Sequence, residues 1–82
     1  MSKHYEFNPE MYKTVGKNIR KYRKDKGLGI DELSEYAQIK KDFLGKFELA
    51  EDDLTISIYD LYKISVILDT SIEKFFEWKK AC

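Results

Sequence analysis

The segment IDELSEYAQIKKDFLGKFE, residues 30–48, decides the fold. It reads as two short helices with a few residues between them. Asp31 and Glu32 follow Gly29 and put negative charge in the first turn of a helix, where free backbone N–H groups favour it. Leu33, Tyr36 and Ala37 recur at helical spacing and form the expected inward side. Gln38-Ile39-Lys40 makes a short connection, because Ile39 calls for burial while both neighbours are polar. A second short helix over about 41–48 turns Leu44 and Phe47 inward and leaves Lys41, Asp42, Gly45 and Lys46 mostly outside. Glycine at 45 weakens that helix by roughly 1 kcal/mol relative to alanine, so something must want a bare backbone there.

Upstream, Asn8-Pro9-Glu10 is a helix start: Asn as N-cap, Pro at the first helical position, an acid in the first turn. Met11, Val15, Ile19 and Tyr22 form one apolar stripe, and Gly27 stops a helix of about 9–26 after Lys24 and Lys26. Downstream, residues 49–56 read as a loop containing Glu51-Asp52-Asp53. Ser57 with Asp60 three residues later resembles a capping box, with Asp in place of the usual longer acid. Ile58, Leu61, Tyr62, Ile64, Ser65 and Leu68 predict a well-buried helix over about 58–68. Asp69-Thr70-Ser71 is a turn, and Ser71 caps a last helix carrying Ile72, Phe75, Phe76 and Trp78. The expectation is an all-α fold of five short helices on one core: an arm at 1–8, one domain at 9–79 and a tail at 80–82.

Composition narrows the function. With 82 residues there is room for one core, and twelve aromatic side chains help to fill it. The single cysteine, Cys82, and the single histidine, His4, can form neither an internal disulfide nor a zinc site, so no metal and no cofactor is expected. No segment resembles a signal peptide or is long enough to span a membrane, and a cytoplasmic protein is expected. Enzymatic chemistry lacks an inventory. Gly27-Leu28-Gly29 ends a helix instead of following a strand, and Asp31-Glu32 are helix-start acids.

Net charge is zero, but its distribution is uneven. Residues 1–46 carry 11 basic and 7 acidic side chains, whereas residues 47–82 carry 4 and 8. Between 11 and 26, Lys13, Lys17, Arg20, Lys21, Arg23, Lys24 and Lys26 face one acid, Asp25. Such a dipolar molecule can meet a polyanion with one face, although a basic run can also be a solvated helix surface.

From Val15 to Phe76 the residues resemble the Cro/cI-type (XRE-like) helix-turn-helix repressors. The resemblance rests on Ile19-Arg20-Lys21-Tyr22-Arg23 leading to Gly27-Leu28, then Glu32-Leu33-Ser34, Ile39 and Phe47-Glu48. It continues through Leu61-Tyr62-Lys63-Ile64-Ser65 with Leu68 to Ser71-Ile72-Glu73-Lys74-Phe75-Phe76. It implies a phage-repressor-like five-helix domain that binds double-stranded DNA, with the third helix in the major groove. Lys41, Asp42 and Lys46 are then the base-reading candidates, since Lys donates to guanine O6 and N7 and Asp accepts from cytosine N4. Lys17, Arg20, Lys21 and Lys40 are the phosphate candidates. The resemblance also implies a structural pair between Arg23 and Glu48. A homodimer is expected on a site with half-sites roughly 34 Å apart, with Trp78 as the interface candidate.

Several positions depart from the family pattern. Ile30 stands where relatives often have a phosphate-contacting Gln, Gln38 where the turn usually has a small residue, and Lys40 where a capping Ser or Thr is usual. Asp42 replaces Gln, Ser or Arg, and the 51–53 loop is acidic and about two residues longer. These departures support an alternative: a helix-turn-helix fold used as a protein-interaction or dimerisation module, with DNA binding weak or lost.

Overall fold

A computed structural model describes residues 9–77, and they form five helices. These are α1 (Pro9–Asp25), α2 (Ile30–Ala37), α3 (Lys41–Leu49), α4 (Ile58–Leu68) and α5 (Ile72–Phe75). The expected boundaries hold to within about a residue, except that α5 is a single turn and stops before Trp78. The arm, the cap assigned to Asn8, Trp78 and the tail all lie outside the described residues.

The helix ends explain why the elements stop where they do. Gly27 has φ 78°, and behind it Leu28 N–H donates to Arg23 O while Gly27 N–H donates to Lys24 O. That pair of bonds satisfies the last carbonyls of α1, and glycine takes the left-handed turn without a Cβ clash. The same turn closes α2 at Gln38, α3 at Ala50 and α4 at Asp69, each with φ between 52° and 58° and none of them glycine. At the other ends, Glu32 Oε1 accepts from Gly29 N–H at 2.8 Å, and Ser57 Oγ accepts from Asp60 N–H at 3.0 Å. The Asp60 carboxylate turns to Lys63 at 3.3 Å, so only half of the expected capping box forms. Ser71 stands at the N-cap of α5 but makes no side-chain cap bond.

One core unites the helices. Val15 and Ile19 from α1, Leu33 and Ala37 from α2, and Leu44 and Phe47 from α3 are buried with Leu61, Ile64 and Leu68 of α4 and Phe75 of α5. Ile39 in the connection is buried as expected, and Ile56 plugs the end of the acidic loop. Asn18 ties α1 to the end of α5 by donating from Nδ2 to Phe75 O at 2.7 Å and Glu77 O at 3.0 Å.

Five expected core positions are on the surface instead. Tyr36 and Tyr62 are more than half exposed, Ile58 is 68% exposed, and Met11 lies at the exposed start of α1. The buried row of α4 is Leu61, Ile64, Ser65 and Leu68. Tyr62 lies one residue, about 100°, beyond it, and Ile58 falls in the first turn, where no helix covers it. On α2, the inward row is Leu33 with Ala37, four apart, and Tyr36 sits at its edge. Phe76, expected beside Phe75 in the core, is 40% exposed because α5 ends at Phe75.

Candidate nucleic-acid interface

What makes α3 a rigid platform is its attachment to α1. A Cβ at Gly16 would collide with the Phe47 carbonyl oxygen, so the two helices approach backbone to side-chainless backbone. At the far end of the same contact, Arg23 Nε and Nη2 donate to Glu48 Oε2 and Oε1, each at 2.9 Å. Arg23 Nη1 also donates to Leu28 O at 2.7 Å. Arg23 is 8% exposed and Glu48 4%. Such a forked pair fixes orientation as well as distance. Phe43 stacks on Phe47 with ring centroids 5.8 Å apart, bracing the first turn of α3.

With Leu44, Phe47 and Glu48 buried, the opposite side of α3 is free. Lys41, Asp42 and Lys46 are exposed there and, together with Ile30, Gly45 and Leu49, line one shallow depression. A second depression, lined by Arg20 and Arg23 as well, shares Ile30, Gly45 and Leu49 with the first. The structure therefore brings the three base-reading candidates together and sets Arg20 beside them. Lys17 and Lys21 are exposed on α1, where spacings of three and four put them on one face with Arg20, and Lys40 is exposed at the N-cap of α3. None of these three lines either depression.

Two of the basic candidates already have partners. Lys41 Nζ lies 2.6 Å from Asp31 Oδ1, and the bond and charge of Asp31 hold the ammonium above the usual lysine pKa range. Both groups are exposed, so Lys41 stays charged and free to exchange Asp31 for another anion. Lys21 Nζ is 3.2 Å from Asp25 and 4.5 Å from the centre of the Tyr22 ring. In the acidic loop, Asp53 pairs with Lys13 at 3.5 Å. Sequence reading missed Asp31, ten residues from Lys41 on another helix, and Leu49, which belongs to the last turn of α3 and not to the loop. Among the described residues no cluster of His, Cys, Asp or Glu could hold a metal, and no helix is long and apolar enough to cross a membrane.

The arrangement has counterparts. The HTH-type transcriptional regulator SinR of Bacillus subtilis (strain 168) is 35% identical over 65 residues, covering 79% of this chain. The structure of the N-terminal DNA-binding domain of SinR from Bacillus subtilis superposes with a TM-score of 0.73 at 33% identity, covering 84% of this chain and 99% of that one. The chain belongs to the Cro/cI-type (XRE-like) helix-turn-helix family. A second structure, that of SinR in complex with DNA, matches at TM-score 0.70 and 35% identity, over 77% of this chain and 98% of that one. The chain spans 58% of the length of the full SinR sequence. No family model matches it. As a Cro/cI-type domain, it has α2 and α3 as the helix-turn-helix and Gln38-Ile39-Lys40 as the turn.

Proposed function

We propose that this domain binds duplex DNA sequence-specifically, as the DNA-reading part of a cytoplasmic transcriptional regulator and not of an enzyme. The observation that carries this reading is the anchored α3. Its buried side is locked to α1 through Gly16 and the Arg23–Glu48 fork, and its outer side presents Lys41, Asp42 and Lys46 together. A short, protruding helix of that kind fits a major groove, where Lys reads guanine and Asp reads cytosine. Lys17, Arg20, Lys21 and Lys40 supply phosphate contacts on its flanks. The SinR–DNA complex, which matches 77% of this chain, supports DNA binding by a domain of this fold.

One such module buries only about 600–1,000 Å² on DNA, so the domain acts as a homodimer on two half-sites. The face that suits a second copy is the outer side of α4, where Tyr59, Tyr62 and Val66 are all more than half exposed. Asp60 and Lys63 border that row, and a two-fold antiparallel pairing of α4 helices sets opposite charges side by side.

The test is fluorescence anisotropy on random-sequence duplex DNA through a salt series, with the Lys41→Ala/Lys46→Ala variant alongside. Binding that weakens with salt, and weakens further in the variant, is expected. The second reading, a protein-interaction module, is favoured by Asp42 and by the Glu51-Asp52-Asp53 loop, which would repel phosphate. It predicts no duplex binding even at low salt.

A further inference from the structure

Gly45 is unlike Gly16. A Cβ built at Gly45 meets nothing within 4 Å, so the protein's own packing does not require a glycine there. The residue nevertheless sits mid-helix, where glycine weakens the element. The bare backbone faces outward, between two side chains that are odd for a polar surface: Ile30, half-buried at the start of α2, and Leu49, 50% exposed. These three residues border both depressions. The result is an apolar strip with Lys41, Asp42 and Lys46 on one side and Arg20 on the other.

That order of chemistry suits a major groove, with Arg20 toward a phosphate rim, Lys41, Asp42 and Lys46 toward polar base edges, and the apolar strip between them. The apolar group on those edges is the C5-methyl of thymine. Building on the DNA-binding reading above, we propose that the Ile30–Gly45–Leu49 strip is a thymine-methyl site. The methyl packs onto the uncovered Gly45 backbone between the Ile30 and Leu49 side chains, and each half-site contains thymine at the positions so contacted. Ile30, where the family often carries a polar phosphate contact, becomes a specificity residue. A partner protein's aliphatic side chain would suit the strip's hydrophobicity but leaves the cations on both sides without a role.

The experiment uses a duplex recovered from a random-sequence pool by the wild-type protein, and the same duplex rebuilt with uracil in place of thymine. Wild type is expected to bind the uracil copy about fourfold more weakly for each methyl held by the strip. The Ile30→Gln/Leu49→Gln variant, checked for its helical spectrum, is expected to bind the two copies equally. Gly45→Ala gives an independent reading, because its methyl fills the site: it should raise the melting temperature and yet lose affinity for the thymine duplex. Equal binding of both copies by wild type overturns the proposal. So does a preference that survives in the double variant, since the methyl would then act through duplex shape. If the pool yields no duplex at all, the DNA-binding reading itself falls.

Discussion

Among the described residues, the Arg23–Glu48 fork is the most deeply buried ion pair. Both ions are nearly free of solvent, and the guanidinium spends a third donor on the Leu28 carbonyl just beyond α1. Removing one partner therefore leaves an isolated buried charge, whereas removing both does not. Glu48→Gln is expected to lower unfolding stability by about 3–5 kcal/mol in urea titrations. The double substitution Arg23→Met/Glu48→Leu should recover most of that loss. Recovered stability need not mean recovered function: without the fork, α3 keeps its packing but loses the contact that sets its angle to α1. DNA affinity in the double variant should thus stay below that of the wild type, measured by the same anisotropy assay. If the single variant were as stable as the wild type, the pair would be a surface contact, contrary to its burial.

At the scale of whole elements, the helices were legible because caps, stripes and stops agreed with one another. Pro9, Gly27, Ser57 and the Leu33/Ala37 and Leu44/Phe47 rows each reported a local preference that the fold keeps. What stayed hidden depended on neighbours. Tyr36, Tyr62 and Ile58 are apolar enough for a core, yet whether another helix covers them is a tertiary matter that spacing does not carry. The candidate site divides in the same way. Lys41, Asp42 and Lys46 follow from the outer side of α3, but the Lys41–Asp31 pair and the Ile30–Leu49 approach require α2 and α3 to be folded together. The turn between those helices still carries a local conflict. Gln38 holds φ 58°, a left-handed conformation that costs a side chain roughly 1 kcal/mol and costs glycine nothing comparable. Gln38→Gly is expected to stabilise the domain by up to about 1 kcal/mol, seen as a higher melting temperature, with DNA affinity unchanged because Gln38 lines neither depression. A lower melting temperature would mean that the glutamine side chain contributes something beyond the turn.

For the molecule as a whole, charge is the property that links fold to partner. Folding sets Arg20 of the basic α1 beside the outer side of α3 in a chain whose net charge is zero, so the proposed attraction to DNA has to come from a local field and must be screened by salt. Its size can be estimated. Each neutralised phosphate contributes a slope of about −0.9 to log K against log salt. The four proposed phosphate contacts per protomer, from Lys17, Arg20, Lys21 and Lys40, predict a slope of about −3.6 for one domain and about −7 for a dimer on a two-fold site. Lys21 already has Asp25 as a partner, so Lys21→Ala should reduce the slope less than Arg20→Ala does. The proposed dimer seam enters the same measurement. Tyr62→Glu places a carboxylate at the centre of the exposed α4 row, where two copies would repel each other, and position 62 is 55% exposed and outside the buried core. Sedimentation should then show a monomer with an unchanged helical spectrum, and the salt slope should fall to about half. A halved slope with an intact dimer would move the seam away from α4. An undiminished slope with a monomer would mean that one domain makes twice the phosphate contacts assigned to it.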